Sequence, residues 1–266
     1  CDGVKLWDGG SRVENTLIYG RGDGDPTLSP WALVVLGNPT PSDPSFEFVN
    51  VTAADQQRGG YLLYAQYDYP SVPLQITLRN CIFQSVNSSL FINGASTLIA
   101  DHNLFHIPER PAEVILHGAT TYASNTLATL GAGNLYGDPL FVAPASGVPG
   151  GFQLRSTSPA INLGVSTGAP ADDLNRQPRL APPDAGAYEW LPAPAFLVAQ
   201  SRLTPEGFRL VWTSRSGLGY ALDLSEDLTQ WTPLQTFTAT SNTITFVDPA
   251  ALGAARRFYR ARLAAP

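Results

Sequence analysis

Short apolar runs recur along the first half of the chain at a nearly constant interval. They are Val4–Trp7, Leu33–Leu36, Tyr61–Tyr64, Ser89–Ile92 and Val114–His117, and their starts differ by 29, 28, 28 and 25 residues. Downstream of each run stands a second apolar, β-branched segment interrupted by an asparagine: V-E-N-T-L, F-V-N-V-T, L-R-N-C-I, D-H-N-L-F and A-S-N-T-L. The alternation has period two and no 3.6-residue component, so each repeat predicts two strands and no helix. One strand pair cannot bury its apolar face alone. Stacked on the next copy it can, so the repeat predicts a coil of parallel strands, one unit above another.

The asparagines, Asn15, Asn50, Asn80, Asn103 and Asn125, have a physical reason to recur. A side-chain amide donates to the copy below and accepts from the copy above, so a column of them satisfies itself inside the coil. Asn50 opens the glycosylation sequon N-V-T, but a buried ladder asparagine is not available to a glycan. Strand alternation places Val13, Phe48, Leu78, Asp101 and Ala123 facing inward, and Glu14, Val49, Arg79, His102 and Ser124 facing outward. Asp101 is the one charge in the inward set, which marks it for function or strain.

Composition narrows the function classes. The chain of 266 residues has room for two domains, 44% of it is hydrophobic, and 24 Gly with 23 Pro predict many turns. A net charge of −6 argues against nucleic acid, whose phosphates call for a basic footprint. No apolar run reaches the length of a transmembrane span. The chain has no methionine and begins within a repeat, so it reads as the C-terminal part of a longer protein. A rival reading makes Cys1 the lipid-bearing first residue of a processed lipoprotein. Cys81 follows a ladder asparagine and is expected as a buried thiol.

Candidate chemistry concentrates in the third and fourth repeats. Tyr61, Tyr64, Tyr67 and Tyr69 are dense for one segment, and tyrosines at a wet surface stack on sugar rings. Half-buried strand tyrosines are the plainer alternative. Asp101, His102 and His106, followed by Glu109 and Arg110, form the densest polar cluster. Asp101, His102 and Glu109 are the catalytic candidates. Tyr64, Tyr67, Tyr69, Arg79, His102, His106 and Arg110 are the candidate substrate contacts. Asp23 and Asp25 offer carboxylates to calcium, but two are too few for its shell, so neither metal nor cofactor is expected.

The following stretch changes character: G-N-L-Y-G-D-P-L-F at 133–141, S-P-A-I-N-L-G at 158–164, D-L-N-R-Q-P-R at 173–179 and D-A-G-A-Y-E at 184–189. These four motifs, in order, resemble the C-terminal end of right-handed parallel β-helix proteins of the pectin-lyase-like superfamily, of the choice-of-anchor Q kind. Asn162 stands where that pattern has aspartate, and Arg176 where it has glycine. The resemblance implies an all-β fold with a right-handed parallel β-helix over residues 1–190, capped at its last rung. Asp173 or Asp184, paired with Arg179, would pin the cap. It also implies secretion or display at the cell surface, and contact with polysaccharide; the chain is expected as a monomer.

Leu191–Pro192–Ala193–Pro194 reads as a stiff linker. Residues 195–266 then show six alternating segments: Phe196–Arg202, Phe208–Thr213, Tyr220–Ser225, Trp231–Phe237, Thr243–Val247 and Arg257–Arg262. Their spacing predicts a small β-sandwich with Trp212, Tyr220, Trp231 and Tyr259 in its core. The pattern W-T-S-x-S-G-x-x-Y-x-L-x-x-S-x-D-L-x-x-W, closing on R-F-Y-R, resembles fibronectin-type-III-like modules of secreted proteins from Verrucomicrobia. Uronate elimination wants a base and a cation, yet Lys5 is the sole lysine. The expectation is a secreted or surface protein contacting polysaccharide without catalysis in this segment. The alternative is a polysaccharide lyase or glycoside hydrolase whose site lies upstream or around His102.

Overall fold

The computed structural model describes residues 4–6, 9–20, 32–36, 43–55, 60–65 and 73–264. Two compact units divide between Trp190 and Leu191. The described residues form strands and short 3-10 turns, with no α-helix. The chain is all-β, as expected.

Among the described residues, the first unit holds fifteen strands. They are β1 (Val4–Leu6), β2 (Ser11–Glu14), β3 (Leu17–Gly20), β4 (Ala32–Leu36), β5 (Ser45–Val49) and β6 (Thr52–Asp55). Then come β7 (Tyr61–Ala65), β8 (Gln75–Arg79), β9 (Ile82–Ser85), β10 (Ser89–Ile92), β11 (Thr97–Asp101) and β12 (Leu104–His106). The last are β13 (Ile115–His117), β14 (Thr120–Tyr122) and β15 (Leu135–Tyr136). Strand pairing sorts them into three sheets, β1-β4-β7-β10-β13-β14, β11-β8-β5-β2 and β15-β12-β9-β6-β3. From β1 to β9 every strand pairs in parallel with the strand three places on, so the chain visits the three sheets in turn.

Each repeat therefore carries three strands, where the pattern predicted two. The asparagine-bearing segment is two strands with a two-residue bend between them, not one interrupted strand. The fifth repeat departs further. Its β13 and β14 form an antiparallel hairpin, and a 3-10 turn at Leu127–Thr129 follows.

Residues pointing to the space between the sheets form one core. Val34, Leu36, Leu63, Leu90 and Ile92 come from the first sheet, Phe46, Phe48, Ile76, Leu78 and Ala100 from the second, and Phe83 and Phe105 from the third. Phe83 and Phe105 stack with ring centroids 5.4 Å apart, as register puts one over the other. A second core forms on the outer side of the third sheet. There Ala54, Ile82 and Leu104 pack with Phe141, Phe152, Leu154, Ala160, Ala185, Ala187 and Tyr188. The segment from Asp138 to Trp190 is thus a strap laid along the third sheet, not a plug on the last rung as its motifs suggested. An apolar outer face there takes a cover of alanines because small side chains let backbone approach backbone.

The described residues of the second unit form six strands: β16 (Arg202–Thr204), β17 (Gly207–Thr213), β18 (Gly219–Ser225), β19 (Thr232–Thr238), β20 (Thr243–Asp248) and β21 (Phe258–Leu263). They form two antiparallel three-stranded sheets, β16-β17-β20 and β19-β18-β21. Trp212 meets Phe237 edge-on at 5.2 Å, and Phe208 stacks on Tyr259 at 5.9 Å, so the two sheets share one core. Trp212 and Tyr220 are buried there. Trp231, expected beside them, lies instead beneath the guanidinium of Arg260, 4.5 Å from Cζ to the ring centre.

Candidate functional site

Register decides what each candidate residue faces. In the second sheet Glu14, Val49, Arg79 and Asp101 lie side by side. The residue after each is Asn15, Asn50, Asn80 and His102, and all four adopt a left-handed backbone with φ between 45° and 55°. Gly133 continues the column at φ 69°. The third sheet resumes at Leu17, Thr52, Ile82, Leu104 and Leu135. Between lies a second column: Thr16, Val51, Cys81, Asn103 and Asn134. The asparagines therefore divide between two columns, and Asn134, not Asn125, belongs to the ladder.

The first column faces the strap. Asn80 Nδ2 donates to Asn50 Oδ1 at 3.3 Å and to the Val165 carbonyl at 2.8 Å, and Asn80 Oδ1 accepts from Val165 N at 2.8 Å. Asn50 Nδ2 donates to the Asp184 carbonyl at 2.9 Å, and Asn15 donates to that of Asp172. The second column closes on itself. Asn103 Nδ2 donates to Asn134 Oδ1 at 3.0 Å and to the Leu78 carbonyl at 2.9 Å, while Cys81 N donates to Asn103 Oδ1 at 2.9 Å. Asn50, Asn80 and Asn103 are fully buried. Burial also pushes the Cys81 thiol up to about 12, which leaves it a structural side chain.

The one-residue offset corrects the reading of Asp101. It lies beside Arg79, not in the inward row, which Ala100 occupies next to Leu78. Arg79 Nε donates to Asp101 Oδ1 at 2.9 Å and Nη2 to Oδ2 at 3.1 Å. Both oxygens are thus engaged in a bidentate pair. His102 occupies the left-handed bend, and a Cβ added to Gly133 would lie 2.4 Å from its Cδ2. Glycine is what lets the ring fit. His106 lies in β12 beside Gln84, 6.0 Å from the Tyr136 ring, and burial lowers its pKa against the pull of Asp138. Glu109 is exposed on the turn after β12, and Arg110 pairs with Glu113 at 3.2 Å. Asp101 is tied to Arg79, His102 to a bend and Glu109 to a turn. Among the described residues no group of three or more His, Cys, Asp or Glu could hold a metal. No helix there is long and apolar enough to cross a membrane. Tyr67, Tyr69, Asp23 and Asp25 lie outside the described residues.

Tyr64 has company that sequence spacing did not reveal. Register places Phe91 beside it in the next strand of the first sheet. Their rings stack at 5.0 Å with an interplanar angle of 15°. Tyr61 lies 5.1 Å from Tyr64 and 5.4 Å from Phe91. The inward positions on these strands are Leu63, Ala65, Leu90 and Ile92, all buried. Tyr64 and Phe91 alternate with them and so face out, and all three rings are half-buried. The result is an aromatic cluster across two parallel strands, with Tyr64 and Phe91 stacked on each other and Tyr61 tilted against both. Phe91 was missed because its partner is nearly thirty residues away in the chain (91 against 64); the constant repeat length was the signal that could have found it.

Comparison with family models, with curated proteins and with solved structures finds no match.

Among the described residues of the first unit, the buried charges sit in the strap. Arg179 Nη1 pairs with Glu189 Oε2 at 3.3 Å, with side chains 3% and 1% exposed. Its Nη2 donates to Asn15 Oδ1 at 2.8 Å and to the Gly186 carbonyl at 2.9 Å. The expected partners Asp173 and Asp184 do other work. Asp173 accepts backbone N–H groups of Asn175, Gln177 and Glu189, and Asp184 those of Asn162 and Trp190. Burial first, and the Asp184 charge second, push Glu189 up to about 7, against the N–H donors of Asp184 and Leu180 and the Arg179 cation. Burial lowers the pKa of Arg179, opposed by the three carboxylates. This cluster holds the strap and does not open to a substrate.

Proposed function

We propose that the protein is a secreted or surface-displayed glycan-contacting protein whose first unit binds sugar rings on an aromatic strip rather than cleaving them. In this reading the strand triplets are turns of a right-handed parallel β-helix of the pectin-lyase-like kind. The second unit is a fibronectin-type-III-like module. The observation that carries the reading is the Tyr61, Tyr64 and Phe91 patch. Pyranose rings present apolar C–H faces, and the solvent-facing side of the stacked Tyr64 and Phe91 rings, with Tyr61 beside them, offers an aromatic surface against which such faces can pack. The parallel strands fix the rings in place, so little side-chain entropy is lost on binding.

The test is a panel of neutral polysaccharides run by affinity electrophoresis, with calorimetry on any that retard the protein. Tyr64→Ala and Phe91→Ala are each expected to weaken binding about tenfold, the equivalent of ~1.4 kcal/mol. Loss of retardation in neither variant, or no retardation of the parent protein by any polymer, overturns the proposal. Reducing-sugar release or an unsaturated product that disappears with His102→Ala would favour the enzyme reading instead.

A further inference from the structure

The outer face of the β19-β18-β21 sheet carries a charged group that the packing of the second unit does not call for. Asp223 lies opposite Arg260 across β18 and β21, with Arg262 two residues on. The Asp223 carboxylate is only 3% exposed, yet it alternates with the core residue Leu222. Two guanidiniums cover it. Its Oδ2 accepts from Arg260 Nη2 at 2.8 Å and Nε at 3.2 Å and from Arg262 Nε at 2.9 Å, and its Oδ1 accepts from Arg262 Nη2 at 3.2 Å. Each arginine thus uses its Nε and Nη2 edge on Asp223, and neither Nη1 takes part. The arginine side chains remain 48% and 44% exposed. The Trp231 ring lies against Arg260 from the other side.

One guanidinium balances one carboxylate. The second leaves a formal charge of +1 on a chain whose net charge is −6. The two hydrogen bonds from Arg262, and those from Arg260, hold Asp223 below the usual carboxylate range, so the surplus is constant at ordinary pH. Both guanidiniums are already fixed in orientation, and their remaining N–H donors are the right hardware for a planar or tetrahedral oxyanion.

We propose that Arg260 and Arg262, seated on Asp223 and flanked by Trp231, form a binding site for the anionic groups of an acidic polysaccharide, carboxylate or sulfate. The site is independent of the aromatic strip in the first unit. Polygalacturonate, dextran sulfate and neutral dextran, run against the full chain by affinity electrophoresis at low salt, test it. At least one of the two acidic polymers is expected to retard the protein, and dextran is not. The polymer that retards it tells carboxylate from sulfate. Added salt should weaken the effect, since an exposed pair of charges is screened. Arg262→Gln is expected to weaken binding at least fivefold, and Asp223→Asn to preserve or strengthen it, because both cations stay. Removing both arginines would strand Asp223, so the triple variant Asp223→Asn, Arg260→Gln, Arg262→Gln serves as the null and should not be retarded. Tyr64→Ala should bind the acidic polymer as the parent does, so this result stands apart from the neutral-glycan test. Retention of binding by a folded triple variant, or no binding of the parent to either acidic polymer, overturns the proposal.

Discussion

Left-handed bends are where single residues carry the architecture. Asn80 combines a φ of 53° with three side-chain hydrogen bonds to Asn50 and Val165, all in a fully buried position. Asparagine tolerates that backbone better than other residues with a Cβ, and its amide meets both a donor and an acceptor from the strap. Asn80→Ala is expected to cost about 2–4 kcal/mol, from backbone strain and from the stranded Val165 groups. Asn80→Gly should recover part of the loss, since it relieves only the strain. Denaturant melts of the two variants separate the contributions. Arg176 presents the opposite case. It is exposed at φ 61° with no buried role for its side chain, where the resembled pattern has glycine. Arg176→Gly is expected to leave stability unchanged or raise it by about 1 kcal/mol; a loss would mean that the side chain matters.

The strap is the element that turns parallel strands into a closed unit. It covers the outer face of the third sheet with alanines and aromatics, and it meets the asparagine column with its backbone. Arg179 and Glu189 are its buried tie. Glu189 has a folded value raised from 4.5 to about 7. A raised value means the folded state holds the proton more tightly than the unfolded chain. Its contribution is therefore full below about 4.5 and is lost as pH rises through about 7. Melts of the parent at pH 5 and pH 8 should show the strap-bearing unit less stable at the higher pH, and Glu189→Gln should flatten that difference. A steeper loss on the acid side in the parent alone would assign Glu189 to the charged form and sink this account. Arg179→Met removes a buried cation from among three carboxylates and is expected to destabilise by about 3–5 kcal/mol, the range for breaking a buried pair.

At the scale of the whole molecule, two units with separate cores should unfold separately. Calorimetry is expected to resolve two transitions. Arg179→Met should lower one and leave the other. Trp212→Ala, which empties the centre of the sandwich core, should lower the second by about 3–5 kcal/mol in stability. One cooperative transition shifted by both variants would show that the units are coupled. The division also separates the two proposed glycan contacts. The aromatic strip belongs to the parallel sheets and the arginine pair to the sandwich, so each can be tested with the other intact.

Repeat length, the all-β character and the break before Leu191 were all legible in the chain, because periodic burial writes itself into the spacing of apolar residues. The five repeat starts fell within a residue of strands β1, β4, β7, β10 and β13. The buried Cys81 and the core Trp212 followed from the same pattern. Register was not legible, because a one-residue offset changes which face a residue takes without changing composition. It moved Asp101 from the core side to an ion pair with Arg79, split the asparagines into two columns and brought Asn134 into the ladder. Nor could spacing say which carboxylate would meet Arg179, since three acids compete within a few residues and only the path of the strap chooses Glu189. The sequence by itself determined that apolar faces would be stacked and closed at a fixed interval. Tertiary structure alone decided what lies beside what, because side chains from distant repeats become neighbours only when the backbone bends have set their phase.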